Sequence, residues 1–313
     1  MSALVDGFGL PAWEPGGAVA VGVFDGVHAG HRRLVDVARA WAADRDAVAS
    51  GLTFDPHPSA LFRPAGRVAP LLQTLDDRLA TLAHAGLARV AVARFDRAFA
   101  VQDPEQFVDT VLLGRLGAAC VVVGEDFRFG AGQAGDVRVL EELGRRKGFA
   151  LEVVPEVRVD GVPARSTVIR GRIEDGDVAG AARLLGRPHG VRGIVAPGRR
   201  LGRTIGFPTA NLAVPDGLVV PGSGVYAAWA RGTFGKCPAA VSIGVNVTVD
   251  PDASPTVEAH LLDWSGDLYG EPLALEFVAR LRGMAAFAGL DALKAAIDDD
   301  VRRARGILTE TVD

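Results

Sequence analysis

The chain has 313 residues, 49% of them hydrophobic and 23% charged, with a net charge of −4. This length points to two domains with ample material for two cores, and the acidic balance argues against nonspecific binding to nucleic acid or an acidic membrane, so phosphate-bearing partners need local sites. Two cysteines, Cys120 and Cys237, are too few for a disulfide framework; Met1 to Leu10 lack a secretory pattern and no apolar stretch reaches spanning length, so a cytoplasmic protein is expected.

From Ala18 to about Gly186, short apolar runs alternate with helical periods. Ala18 to Val23 reads as a buried strand, after which Leu34, Ala38 and Trp41 recur at helical spacing. Val48 to Phe54 is a second strand. Thr74 to Ala85 reads as a helix, with Thr74 and Asp77 spaced as a capping box and Leu75, Leu79 and Leu82 on one face. Arg89 to Ala93 and Ala118 to Val123 are further strands, separated by a helix that Asp103-Pro104-Glu105 starts. Repeated strand–helix–strand units predict a parallel sheet with helices on both faces.

After Arg187-Pro188 the texture changes. Asp177 to Gly186 reads as a helix leading into this junction. Gly190 to Ala196, Thr209 to Val214, Gly224 to Ala230, Ala239 to Val245, Thr256 to Leu262 and Pro272 to Ala279 are strand-like and separated by turn residues. A helical period returns at Leu290, Leu293, Ile297 and Val301. Such a pattern predicts a compact β-barrel or sandwich closed by a C-terminal helix.

The first candidate site is Gly22-Val23-Phe24-Asp25-Gly26-Val27-His28-Ala29-Gly30-His31, between the first strand and the first helix. A helix N-terminus at that switch offers free backbone N–H groups to phosphate. His28 and His31 are three residues apart, so in a helical first turn both imidazoles project the same way. There they can stabilise charge developing on phosphoryl oxygens. Gly26 and Gly30 remove side chains where a nucleotide approaches. Two histidines in a polar surface turn are the bland alternative. A zinc site is another, but no cysteine or third histidine stands at ligand spacing and His57 is the nearest further candidate.

The His-x-Gly-His string is similar to the signature of the nucleotidylyltransferase superfamily. The fuller Gly22–His31 string resembles the FMN adenylyltransferase module of prokaryotic bifunctional FAD synthetases. Thr53-Phe54-Asp55-Pro56-His57-Pro58 resembles that family's second motif, and Gly124-Glu125-Asp126-Phe127-Arg128-Phe129-Gly130 its third. Ser166-Thr167-Val168-Ile169-Arg170 resembles the fourth, which contacts the ATP phosphates; Arg165 and Val168 depart from the family pattern there. The resemblance implies nucleotide binding by Gly22, Phe24, Asp25, Gly26, Gly30, Ser166, Thr167 and Arg170, flavin binding by Asp126 and Phe127, and catalysis by His28 and His31. Ser166 and Thr167 would open a short helix whose hydroxyls and N–H groups grip pyrophosphate, with Arg170 adding a bidentate contact. A plain helix cap at Ser166-Thr167 and a rigid turn at Asp55–Pro58 are the readings without chemistry.

The second candidate site is Gly202-Arg203-Thr204-Ile205-Gly206-Phe207-Pro208-Thr209-Ala210-Asn211-Leu212. Strand alternation puts Thr209 and Asn211 on one face, where a hydroxyl and an amide oxygen suit Mg²⁺. Gly198, Gly202 and Gly206 allow the preceding loop to wrap around ADP or ATP; with no Gly-Lys-Ser/Thr it is not a P-loop. Taken alone, this is a glycine-rich hairpin followed by an ordinary strand, and Glu258 a solvated strand residue. The string resembles the riboflavin kinase family, whose Pro-Thr-Ala-Asn is its most specific mark. Gly224-Val225-Tyr226-Ala227, Ser242–Asn246, Thr256-Val257-Glu258-Ala259-His260 and Leu268-Tyr269-Gly270 follow in the family's order. The resemblance assigns Thr209 and Asn211 to Mg²⁺–nucleotide, Gly198, Gly202 and Arg203 to nucleotide, and Glu258 to catalysis as a base for the ribityl hydroxyl. Val247 replaces a usual proline, and Arg282 to Phe287 lack acidic residues usual there.

Together the resemblances imply an α/β chain: an N-terminal doubly wound parallel-sheet nucleotidylyltransferase domain, residues 1–186, plus a C-terminal small β-barrel with a terminal helix, residues 187–313. The expected activity is ATP-dependent phosphorylation of riboflavin to FMN and adenylylation of FMN to FAD, with Mg²⁺ as cofactor and flavins and ATP as partners. A homo-oligomer is compatible with the sequence. The rivals are a nucleotidylyltransferase for another acceptor and a flavin-binding regulator with inactive sites; the kinase motifs argue against the first, and the presence of His28, His31 and Glu258 against the second.

Overall fold

The computed structural model describes residues 12–62, 69–198, 202, 205–244 and 255–310. The chain divides into two compact units, residues 1–69 with 73–165, and residues 70–72 with 166–313.

The first unit carries β1 (Gly17–Val21), α1 (Ala29–Ala43), β2 (Ala49–Asp55), α2 (Pro58–Phe62), α3 (Leu75–His84), β3 (Arg89–Arg94), α4 (Arg97–Ala100), α5 (Pro104–Phe107), β4 (Ala118–Gly124), α6 (Val137–Lys147) and β5 (Ala150–Val154). A two-stranded ribbon, β6 (Arg158–Val159) with β7 (Val162–Pro163), ends it. Strands β1 to β5 form one parallel sheet in the order β3-β2-β1-β4-β5. Each central strand feeds both faces. Ala18 and Ala20 of β1 and Cys120 and Val122 of β4 face the core under α1 and α3. Val19, Val21, Val121 and Val123 face the core built with Phe107, Val111, Leu140 and Leu143. Burial on two sides is why these strands read as unbroken apolar runs.

Local signals set the helix starts. Thr74 caps α3 by accepting from the Asp77 N–H at 3.1 Å, and Asp103 with Gln106 forms a capping box at α5. From α5 the chain passes into a π-helical turn, Val108–Leu113.

The second unit holds α7 (Ser166–Glu174), α8 (Val178–Leu185), β8 (His189–Ala196), β9 (Ala210–Ala213), β10 (Gly224–Gly232), β11 (Gly235–Gly244), β12 (Thr256–Leu261), β13 (Pro272–Arg282) and α9 (Leu290–Glu310). The strands close into an antiparallel barrel in the order β10-β11-β12-β9-β8-β13; of barrel and sandwich, the fold is the barrel. Tyr226, Ala228, Val241, Val257, Ala259, Leu275 and Phe277 fill its interior. Helix α9 covers the outer face, with Ala304 and Leu308 against Val225, Ala227, Ala240 and Leu281. Arg282 is held there by a twofold contact to the buried Asp300 (2.7 and 3.0 Å), which gives this position a structural role. Asp177 caps α8, Gly186 ends it at φ 62°, and Val178 reaches the barrel core. Residues 70–72 belong to this unit, where Leu71 exchanges backbone hydrogen bonds with Gly217 and Val219.

Candidate active sites

In the first unit the strand order reverses at β1: β2 and β3 lie to one side, β4 and β5 to the other. Ligand crevices in open parallel sheets form at such a switch, beyond the carboxyl ends of the strands. The loops after β1 and β4 are Gly22–His28 and the segment beginning at Glu125, so the fold brings the first and third motifs to this end of the sheet.

The histidine turn is tightly specified. Phe24 is buried at φ 56°, followed by Gly26 at φ 85° and Val27 at φ 40°. His28 is not in the first helical turn, as the spacing suggested, but is the N-cap of α1, its Nδ1 accepting from the His31 N–H at 3.4 Å. The two imidazoles still project together, stacked at 3.7 Å between centroids and 20° between planes. The Phe24 ring meets His31 edge-on at 5.2 Å. Asp25 is 2% exposed. Gly30 leaves room for the His28 ring and the Ala164 carbonyl, each 3.2 Å from where a Cβ would stand. Gly22 faces the Phe24 ring, 3.3 Å from its own would-be Cβ.

Burial holds the His31 imidazole well below its ordinary pKa, and the positive charge of His28 and Arg78 pushes it the same way. His31 is therefore a neutral imidazole at neutral pH, and its buried Nδ1 forms no hydrogen bond. A buried, neutral His31 imidazole stacked on His28 suits stabilisation of charge developing on phosphate.

In the second motif, Thr53 donates to the Val23 carbonyl at 2.9 Å, linking the ends of β1 and β2. Asp55-Pro56 is a cis peptide, and the His57 Nδ1 lies 2.8 Å from Ser59 Oγ. In the third, Asp126 is exposed and Phe127 stacks on Phe129 at 5.4 Å. Ser166 and Thr167 open α7 in the second unit, as the motif implied for a short helix, and Arg170 donates to the Pro70 carbonyl at 2.5 Å.

The second site lies on the outer wall of the barrel. Along β12, Val257, Ala259 and Leu261 face the core, leaving Glu258 and His260 on the opposite side. Glu258 pairs in register with Asn211 of β9, and Thr209, just before that strand, donates to Glu258 Oε2 at 3.3 Å. Thr209, Asn211 and Glu258 therefore converge. The loop ahead is tight: the Phe207 N–H reaches the Gly202 carbonyl at 2.8 Å, a Cβ on Gly202 would collide with the Phe207 carbonyl, and one on Gly198 with the Asn211 amide. Arg203 and the Asn246-Val247-Thr248 segment lie outside the described residues. Among the described residues no group of three or more His, Cys, Asp or Glu is arranged to hold a metal ion.

Two residues at these sites carried no role in the sequence reading. Arg78 of α3, 2% exposed, donates to the carbonyls of Val23 and Phe54 at 2.8 and 3.2 Å. Its signal was available: an arginine three residues after Leu75 and four before Leu82 stands on the apolar face of its helix. His260 holds the Pro208 carbonyl at 2.8 Å, and the Phe207 ring packs edge-on against it at 5.6 Å, bracing the segment that delivers Thr209. Strand alternation placed it beside Glu258, but nothing local pointed to its partner.

Comparison with known proteins agrees with this division. A family model described as FAD synthetase matches residues 11–168, and one described as riboflavin kinase matches residues 185–308. Bifunctional riboflavin kinase/FMN adenylyltransferases are similar over nearly their whole length. The protein from Pseudomonas fluorescens is 37% identical over 94% of this chain and 94% of its own; that from Bacillus subtilis is 31% identical over 91% and 90%. A crystal structure described as a macrolide-efflux protein from Streptococcus pneumoniae superposes with a TM-score of 0.86 at 30% identity, covering 94% of this chain and 95% of that one. In this chain, no helix among the described residues is long and apolar enough to cross a membrane. With both halves matched and whole-length relatives at this identity, the chain belongs to the bifunctional riboflavin kinase/FMN adenylyltransferase family.

Proposed function

We propose that this chain phosphorylates riboflavin with ATP to give FMN, and transfers the adenylyl group of a second ATP to FMN, giving FAD and pyrophosphate. The observation that carries the reading is the presence, in one chain, of a stacked histidine pair at the switch point of a parallel sheet and a Thr209–Glu258–Asn211 cluster on a barrel wall.

In the adenylyl transfer, the FMN phosphate attacks the α-phosphorus of ATP and pyrophosphate leaves. His28 and His31 donate hydrogen bonds to the oxygens that gain charge, and the turn holds them fixed before the substrate arrives. Ser166, Thr167 and Arg170 are the proposed grip on the leaving pyrophosphate. Asp126 and Phe127 are the proposed flavin contacts, with Gly22, Phe24, Asp25, Gly26 and Gly30 shaping the nucleotide's approach.

In the kinase reaction, Glu258 accepts the proton of the ribityl 5′-hydroxyl as the oxygen attacks the γ-phosphorus of ATP. Thr209 Oγ1 keeps that carboxylate oriented. Thr209 and Asn211 offer neutral oxygen donors beside the Glu258 carboxylate, which fits Mg²⁺, an ion that completes its shell with water and nucleotide phosphates. When bound, Mg²⁺ supplies charge neutralisation on the transferred phosphoryl group. Gly198, Gly202 and Arg203 would line the nucleotide in this domain, which we take to span residues 187–313, with residues 1–186 making FAD.

Incubating the purified chain with riboflavin, ATP and Mg²⁺ and separating flavins by chromatography tests the reading. FMN should form first and FAD should follow from it. Riboflavin left unchanged, or FMN that accumulates without any FAD, refutes one or both assignments.

A further inference from the structure

Arg78 is only 2% exposed, and its surroundings connect the two motifs at the ends of β1 and β2. One nitrogen, Nη1, donates to the Val23 carbonyl (2.8 Å), the Phe54 carbonyl (3.2 Å) and Thr53 Oγ1 (3.3 Å). Val23 stands immediately before Phe24, whose φ of 56° lies in a region unfavourable to bulky L-residues. Such a conformation persists only where the surroundings over-determine it. The Val23 carbonyl accepts from both Arg78 and Thr53, so the peptide leading into Phe24 is pinned from below. Phe24 in turn packs on His31. A chain of direct contacts thus runs from Arg78 through Val23 and Phe24 to the histidine pair.

The remaining guanidinium nitrogens are used poorly. Nε and Nη2 are buried without a hydrogen bond, and Nη2 only reaches ion-pair distance of Asp55, 3.8 Å away. Burial lowers the Arg78 pKa, while Asp25 and Asp55 raise it. A methionine or leucine would fill an apolar helix face at less cost, because a buried donor left without a partner loses its hydration and gains nothing in return. Groups left in this condition in a well-packed core call for a functional account.

We propose that Arg78 is a positioning residue for adenylyl transfer: it clamps the Val23 and Phe54 carbonyls so that the His28–His31 turn is set against the end of β2, and it places a fixed cation near His31. The inference rests on the FMN adenylyltransferase reading. The charges that act on His31 are His28 from the cap of α1 and Arg78 from α3; those that act on Arg78 are Asp25 beyond β1 and Asp55 at the end of β2.

Two substitutions in the full chain separate the clamp from the charge. Arg78→Lys keeps the cation but has a single compact ammonium in place of the planar fork. It should lower kcat for FAD formation from FMN by ~10-fold or more, since misplacement of about 1 Å can cost ~10²-fold. Its pH profile for kcat/KM should stay that of the wild type. Arg78→Met keeps the length and removes the charge. It should lower kcat at least as much, and its acidic limb should move to higher pH, because His31 then protonates more readily. Riboflavin phosphorylation by the same preparations should stay within about twofold of wild type.

Wild-type rates and profiles in both variants overturn the inference, as does an Arg78→Lys chain that loses kinase and adenylyltransferase activity equally. Should Arg78→Met fail to fold, Arg78→Lys alone decides, through kcat and the kinase control. A wild-type chain that makes FMN but no FAD overturns the adenylylation reading itself, whatever the variants do.

Discussion

Replacing His28 separates two jobs that the fold assigns to one side chain. Its Nδ1 caps α1 through the His31 N–H, and its ring stacks on His31 at 3.7 Å. Loss of a side-chain cap typically costs ~0.5–2 kcal/mol. The bond here is 3.4 Å long, so the cap itself is worth about 0.5 kcal/mol, with about 1 kcal/mol more for the packing of a ring that is 6% exposed. His28→Ala should therefore lose ~1–2 kcal/mol of stability, whereas His28→Asn, a good N-cap, should recover the capping share. The rate behaves differently. Removing one donor aimed at a charge that grows in the transition state costs ~10²–10³ in turnover, and asparagine does not restore an imidazole at that reach. Both variants should thus make FAD ~10²–10³ more slowly while differing in urea midpoint. The double replacement of His28 and His31 by Ala should abolish FAD formation. Riboflavin phosphorylation in the same tube is the control and should hardly change. If His28→Asn makes FAD within tenfold of wild type, the histidines act as a helix cap and nothing more.

Glu258→Gln should cut riboflavin phosphorylation ~10²–10⁴-fold while sparing ATP binding measured by calorimetry; Thr209→Ala and Asn211→Asp should instead shift the ATP and Mg²⁺ dependence, and a Glu258→Gln chain with normal turnover refutes the base. His189, buried with its Nε2 3.1 Å from the Val219 carbonyl, has its pKa lowered by burial from 6.5 to about 4. The unfolded chain therefore binds a proton that the folded one does not, and stability present above pH 6.5 falls as pH drops toward 4, by about 3 kcal/mol in all; denaturant titrations of wild type and His189→Gln should differ in slope across that window. A fragment of residues 166–313, which retains α8 and its Val178 contact with the barrel core, should make FMN and no FAD; a folded fragment without kinase activity refutes the division of labour.

Much of the fold was legible because periodicity and punctuation agreed. Leu75, Leu79 and Leu82 with the Thr74 cap define α3 before any tertiary contact is known, and Asp177 and Gly186 do the same for α8. Other elements were silent for physical reasons. Helix α6 fully buries Leu140, Leu143 and Gly144 and half-buries Val137 and Val139 among charged neighbours, so its apolar stripe is thin. Strand β5 lies at the sheet edge with Val154 its one buried residue, and so lacks both the alternation and the unbroken run that mark other strands.

The same division holds at the sites. The residue types and their order along the chain identified both motif sets, because phosphate chemistry needs imidazoles, hydroxyls and carboxylates at short, recognisable spacings. The two-residue spacing even placed Thr209 and Asn211 together, although β9 begins only at Ala210. Contacts between distant segments were another matter: Glu258 meets Asn211 and Thr209 only through the β12–β9 register, and barrel closure itself depends on β8 pairing with both β9 and β13. Arg78 likewise reaches Val23 across 55 positions. Local sequence encodes which groups are present and how the nearest backbone turns; which carbonyl a buried cation clamps, and which carboxylate a hydroxyl orients, is decided by packing between strands and helices far apart in the chain.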